Sequence, residues 1–319
     1  MNDATPRRYT GTLLERAASL YHLAPDALPP IDFGDAVDAG VTVPSTGSST
    51  RPSSDAPAAP AASSAFMPLA PAASRRRAAI DRDALDAAGM ILPGGNVTAL
   101  AEEFRLVKRQ LLATSRSVAS ADPDKARMIL VCSANPDDGK TFCAINLAMS
   151  LAAEKNVEIL LVDADVAKPD VLQTLGIEPG PGLLDALADA SVDAESLIVD
   201  TDVPQLAVLS AGTRSNTDTE LLASDRARSV LATLVEANPR RIVVFDSPPV
   251  LAASPAAQLA TLVGQVMLVV RADKTSEADL KATVALLDGC EQVQLVLNAI
   301  SYRPGGHRFG TYYDQEPAK

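Results

Sequence analysis

The octapeptide Ala134-Asn135-Pro136-Asp137-Asp138-Gly139-Lys140-Thr141 follows a run of apolar residues and precedes the helical pattern TFCAINLAMSLAAE. It is a phosphate loop, G-x-x-x-x-G-K-[ST], with Ala134 in the first glycine position. In such a loop, backbone N–H groups and the N-terminus of the following helix hold phosphates. The Lys reaches the β/γ oxygens and the hydroxyl binds Mg²⁺. Lys140 and Thr141 take those parts here, and Ala134, Asn135, Pro136, Asp137, Asp138, Gly139 and Phe142 complete the candidate nucleotide contacts. The competing reading is an ordinary glycine-containing turn with a solvated Lys. Two acidic motifs weigh against it. The apolar run ILLV ends in Asp163-Ala164-Asp165, and RIVVF ends in Asp246-Ser247-Pro248-Pro249. Carboxylates at the C-terminal ends of buried strands need a cation or donors. Mg²⁺ on nucleotide phosphates is such a cation. Helix N-capping is the alternative role, and it competes more strongly for Asp165 than for Asp163 or Asp246.

These side chains need elements to converge them. β-rich runs fall at 127–132, 157–162, 206–210, 241–245, 265–270 and 292–297, with helical patterns at 140–153, 182–189, 224–237, 254–263 and 276–288. Near-continuous apolar strands alternating with helices predict a mainly parallel sheet covered on both faces, a three-layer α/β P-loop NTPase. Leu100, Phe104, Val107 and Leu111 recur at helical spacing and predict a helix over 97–113. The domain is expected to span 80–300. Residues 1–40 read as a partly helical N-terminal segment. Residues 41–79 read as a disordered Pro/Ala/Ser linker, because that composition cannot offset its ordering entropy. Residues 301–319 read as a mobile tail holding Tyr302, Tyr312 and Tyr313, three of five tyrosines.

The chain has 319 residues, enough for one large or two smaller domains, and a net charge of −12. The acidic balance argues against a nucleic-acid partner. No apolar run reaches the ~18–20 residues of a membrane span. The N-terminus lacks a signal-peptide core, so a cytoplasmic protein is expected. Cys132, Cys143 and Cys290 suit neither a disulfide framework nor a zinc site, and the first two read as small core residues. Arg75-Arg76-Arg77 reads as a solvated end of the linker rather than a lipid contact. Neither histidine, His22 nor His307, reads as catalytic.

ANPDDGKT, ILLVDADVAKP and IVVFDSPPVL resemble the P-loop, second acidic motif and Walker B motif of the bacterial tyrosine kinases (BY-kinases) of polysaccharide synthesis. Thr219–Ser224, Met267–Ser276 and Leu295–Ile300 resemble that family as well. The subgroup most similar is the exosortase-associated tyrosine autokinase, on Glu102–Arg109 and the stretch from Ile80 to Ile91. The resemblance covers roughly residues 80–313. It implies an ATP- and Mg²⁺-dependent protein-tyrosine autokinase regulating exopolysaccharide or capsule synthesis and export. Lys140, Asp163 and Asp165 would be catalytic, with Asp163 as base or Mg²⁺-side carboxylate. Thr141, Asp163 and Asp246 would be on the metal side, and Asn298 near adenine. Tyr302, Tyr312 and Tyr313 would accept phosphate, and Glu102, Arg105 and Lys108 would form an exposed stripe for ring-like homo-oligomers. Implied partners are a membrane polysaccharide co-polymerase as activator, placing the chain at the inner face of the membrane, and a cognate tyrosine phosphatase.

Three features depart from the family pattern. Ala167-Lys168-Pro169 stands where Arg-Arg-Pro is usual, Lys108 stands where the helix usually has Arg, and the tyrosine cluster is short. Two alternative functions remain, a catalytically weak ATP-binding adaptor and a partition-type ATPase switch. The latter group normally carries a second Lys at the position of Asn135.

Overall fold

The computed structural model describes residues 75–300. The expected N-terminal segment, most of the expected linker and the tyrosine tail lie outside the described residues. Eight strands form one sheet: β1 (Arg76–Ala78), β2 (Met128–Ser133), β3 (Glu158–Asp163), β4 (Val199–Thr201), β5 (Leu206–Leu209), β6 (Arg241–Asp246), β7 (Gln265–Arg271) and β8 (Val293–Asn298). Their spatial order is β1-β4-β5-β3-β6-β2-β7-β8, and every pairing is parallel except β4 with β5. The six strands expected from the sequence are all present, within about a residue at each end.

Alternation along the central strands supplies two cores. Leu130 and Cys132 of β2, with Leu160 and Val162 of β3, face one core. It is roofed by α5 (Leu183–Ala188), α6 (Asp218–Leu222), α7 (Asp225–Glu236) and α8 (Pro255–Ala260). Ile129 and Val131, with Ile159 and Leu161, face the other. There α1 (Arg82–Ala87), α2 (Ala99–Val118), α3 (Lys140–Ala152) and α4 (Val171–Thr174) cover the sheet, while α9 (Glu277–Leu286) follows β7. Cys132 and Cys143 are core residues, as expected, and burial pushes both thiols up.

The predicted helix at 97–113 is α2. Thr98 caps it, accepting from Ala101 N at 3.1 Å, and Phe104 and Leu111 are buried. The exposed stripe expected at Glu102, Arg105 and Lys108 is corrected at its last member. Lys108 is only 7% exposed. Its Nζ donates to Ser150 O at 3.0 Å and pairs with Glu154 at 2.7 Å. This helix face turns onto the C-terminal end of α3, whose last carbonyls lack intrahelical partners and draw a cation. Glu102 and Arg105 pair with each other along α2.

The linker boundary at residue 79 is also corrected, and so is the solvated reading for Arg75, while Arg76 and Arg77 are exposed as expected. Arg76–Ala78 form β1, in register with Val199–Thr201. Arg75 reaches Glu195 at 2.6 Å, Asp200 at 3.3 Å and Glu158 at 3.5 Å. Arg76 donates to Glu178 O at 3.0 Å. These partners lie more than 80 residues away in sequence. A short polar edge strand therefore exists through its neighbours, not through its own propensity.

Candidate nucleotide and phosphoryl-transfer site

The strand order explains why the motifs meet. β6 lies between β3 and β2. The loop after β2 and the carboxylates ending β3 and β6 therefore share one C-terminal edge, and Asp163 and Asp246 are register partners. Ala134, in the first glycine position, is fully buried and does not have positive φ, so Ala fits there. Gly139 is different. Its φ is +96°, and a Cβ would lie 2.2 Å from Asn298 Nδ2, so only glycine is accommodated.

Lys140 Nζ lies 2.7 Å from Asp165 Oδ2. Thr141 Oγ1 donates to Asp246 Oδ2 at 2.6 Å. Asp163 accepts from Asp165 N at 3.2 Å and from Val171 N at 3.1 Å. Asp165 does not cap a helix, since α4 begins at Val171. It accepts from Lys168 N at 3.1 Å across the intervening turn. Asp163, Asp165 and Asp246 are at most 2% exposed. Burial pushes the Asp163 carboxyl up to about 8, and the Asp246 carboxylate adds to the rise. Burial likewise pushes Asp246 up to about 7, against the pull of Lys140 and the Thr141 hydrogen bond. Burial alone would lower Lys140, but Asp246, Asp165 and Asp163 more than offset it and raise its pKa. Such a cluster requires positive charge, and Asp246 Oδ1 is buried with no partner. The donor set, one hydroxyl and carboxylate oxygens, is that of a hard divalent cation.

Ala167 and Lys168 are exposed, and Lys168 pairs with Asp170 at 3.2 Å. Asn298 ends β8 and donates to Asp138 O at 3.0 Å. Phe142 packs partly buried against the α3-side core.

A family model described as an AAA domain matches residues 126–299, more than half of the chain. The tyrosine-protein kinase YwqD of Bacillus subtilis (strain 168) is 31% identical over 193 residues, covering 60% of this chain and 80% of YwqD. The chain belongs to the AAA-domain family and to the bacterial tyrosine-protein kinases. The succinoglycan biosynthesis transport protein ExoP of Rhizobium meliloti (strain 1021) is 30% identical over 233 residues, covering 67% of this chain and 28% of ExoP. Among solved structures, the BceF tyrosine kinase domain has 28% identity and a TM-score of 0.52, covering 61% of this chain and 76% of that one. This kinase-family chain spans about a quarter of the length of the first curated relatives it matches.

In this bacterial tyrosine-kinase chain the sequence motifs miss one group of residues at the site. Arg271, Thr275 and Asp279 all bond to the phosphate loop. The only sequence signal for the first two was the family-like run Met267–Ser276, and nothing in that run names a partner.

Proposed function

We propose that the protein is an ATP-dependent protein-tyrosine autokinase that regulates exopolysaccharide synthesis and export. The convergence of Lys140, Thr141, Asp163, Asp165 and Asp246 on one sheet edge carries this reading. Phosphoryl transfer needs little covalent chemistry from a protein, only positioning and charge neutralisation. Lys140 leaves Asp165 for the β/γ-phosphates as they enter over the loop amides. Thr141 and Asp246 would hold Mg²⁺, with Asp163 on the same side, and the ion would supply neutralisation of charge on the transferring phosphoryl group. Asp163 is also placed to take the proton of an attacking hydroxyl. Asn298, against the loop, lies on the adenine side.

Beside Asp163 opens a cleft of about 470 Å³ lined by Pro169, Leu172, Ile177 and Pro179, with Ser210 at its wall. Gln173 and Glu178 also line it, but the apolar sides and the buried Asp163 suit a phenol ring whose hydroxyl meets Asp163. The acceptors are Tyr302, Tyr312 and Tyr313, which lie outside the described residues, and transfer runs between subunits of a ring-like homo-oligomer. Glu102 and Arg105 are the contact residues on α2. The narrower exosortase-associated placement, a membrane polysaccharide co-polymerase as activator and a cognate tyrosine phosphatase belong to this same proposal. Among the described residues no helix is long and apolar enough to cross a membrane.

The test mixes two chains with Mg-ATP: Lys140→Met with its tyrosines intact, and an active chain carrying Tyr302→Phe, Tyr312→Phe and Tyr313→Phe. Phosphotyrosine is expected on the Lys140→Met chain. Wild type that labels itself while this chain stays blank would rule out transfer between subunits. Wild type that binds ATP and never labels would make the protein an ATP-binding adaptor.

A further inference from the structure

The phosphate loop is held from outside by residues that belong to none of its motifs. Asp137 has φ of 61°, a left-handed conformation uncommon for a residue with a Cβ, and Gly139 follows at 96°. Left alone, such a loop relaxes and its amides diverge. Here side chains from outside the loop bond to Asn135, Asp137 and Asp138. Arg271 Nη1 donates to Asp137 O at 2.5 Å. Asp138, which is fully buried, accepts through Oδ2 from Asn135 N at 3.1 Å and from Thr275 Oγ1 at 3.3 Å. Thr275 Oγ1 in turn accepts from Arg271 N at 3.0 Å, so one hydroxyl links the end of β7 to the loop. Asn135 Nδ2 donates to Asp279 Oδ2 at 3.2 Å, on the first turn of α9. Asn298 Nδ2 donates to Asp138 O at 3.0 Å from the end of β8.

We infer that Arg271 and Thr275 are positioning residues for the nucleotide phosphates: through Asp137 and Asp138 they hold the loop in its phosphate-receiving shape before the ligand arrives. This rests on the reading of the loop as a nucleotide site. Convergent amides bind an anion well only if they already converge. Ordering them in advance removes that cost from binding. Backbone strain of the kind at Asp137 persists where neighbouring contacts over-determine it, and the Arg271 bond to its own carbonyl is such a contact. The linkage also ties phosphate affinity to the β7–α9 turn, Ala272–Ser276. A partner that moved this turn would alter nucleotide affinity without touching the nucleotide.

The experiment measures MgADP binding by calorimetry on the full chain. Thr275→Val removes both bonds of the hydroxyl at nearly constant shape, and Thr275→Ser retains them. Thr275→Val and Arg271→Ala are expected to weaken binding roughly tenfold each. Thr275→Ser should bind as wild type does. In kinase assays the loss should fall on the KM for ATP, with kcat little changed. Hydrogen exchange of the amides of residues 135–141, measured without nucleotide, should quicken in Thr275→Val while the rest of the domain is unchanged. That readout separates positioning from general loss of stability, and Thr275→Ser keeps the question answerable if Arg271→Ala fails to fold. Wild type that binds no MgADP would overturn the nucleotide site itself. Wild-type binding matched by Thr275→Val, or loop exchange unaltered in it, would overturn the positioning role alone.

Discussion

Lys140 Nζ and Asp165 Oδ2 lie 2.7 Å apart, with the Lys side chain 12% exposed and the Asp 2%. Lys140 therefore compensates a buried carboxylate, a pairing that the proposed phosphate role would have it give up. Lys140→Met should abolish phosphotyrosine and also lower the stability of the ligand-free protein by roughly 2–4 kcal/mol, since it strands a buried charge. Urea unfolding checks this against Lys140→Arg, which keeps the pair. A Met variant as stable as wild type would mean that Asp165 finds other compensation.

Asp246 combines a hydrogen bond from Thr141 with a second oxygen that has no partner. Asp246→Asn keeps an acceptor for Thr141 but loses the charge that would attract a cation. The Mg²⁺ concentration for half-maximal phosphorylation should rise on the order of 10–100-fold, comparable to the loss of a metal-supporting group. An unchanged Mg²⁺ titration would remove Asp246 from the metal side.

Lys108 and Arg105 make opposite predictions although they stand on the same helix. Lys108→Met leaves Ser150 O and Glu154 without their cation and should cost about 1–3 kcal/mol of monomer stability. Arg105→Glu should cost little stability and shift the mass seen by light scattering toward monomer. If Lys108→Met changed only the mass, its inward position would not describe the protein in solution.

At the opposite edge of the sheet, Glu158 pairs with Arg241 at 2.6 Å and accepts from Asn238 at 2.6 Å. Burial alone would raise the Glu158 pKa, but Arg241 more than offsets it and holds the carboxyl below its ordinary value. A carboxylate depressed in the folded state binds fewer protons there than in the unfolded chain. Its stabilisation is thus complete above the ordinary Glu range, near pH 4–5, and fades as pH falls through the folded value. Glu158→Gln should lower the melting temperature at neutral pH and shrink its further fall on acidification. An acid limb identical to that of wild type would exclude Glu158 as a contributor.

Much of this protein is written in short windows of its sequence. The near-continuous apolar runs at β2, β3 and β6, the loop Ala134–Thr141 and the acidic strand ends at Asp163 and Asp246 are each legible within about ten residues, because local propensity and local motif chemistry set them. What they form together was decided by tertiary structure. The crossovers that place β6 between β3 and β2 make Asp163 and Asp246 neighbours, and no window of sequence contains both. The same holds for the residues that sequence reading misplaced or missed. Arg75 and β1 are ordered by Glu195 and by Val199–Thr201. Lys108 turns inward because the end of α3 offers it Ser150 O and Glu154. Arg271 and Thr275 matter because β7 lies beside β2 and so brings them to the phosphate loop. Polar side chains of this kind carry no hydrophobic period. Their roles come from partners far along the chain, and only the folded sheet brings those partners within hydrogen-bond distance.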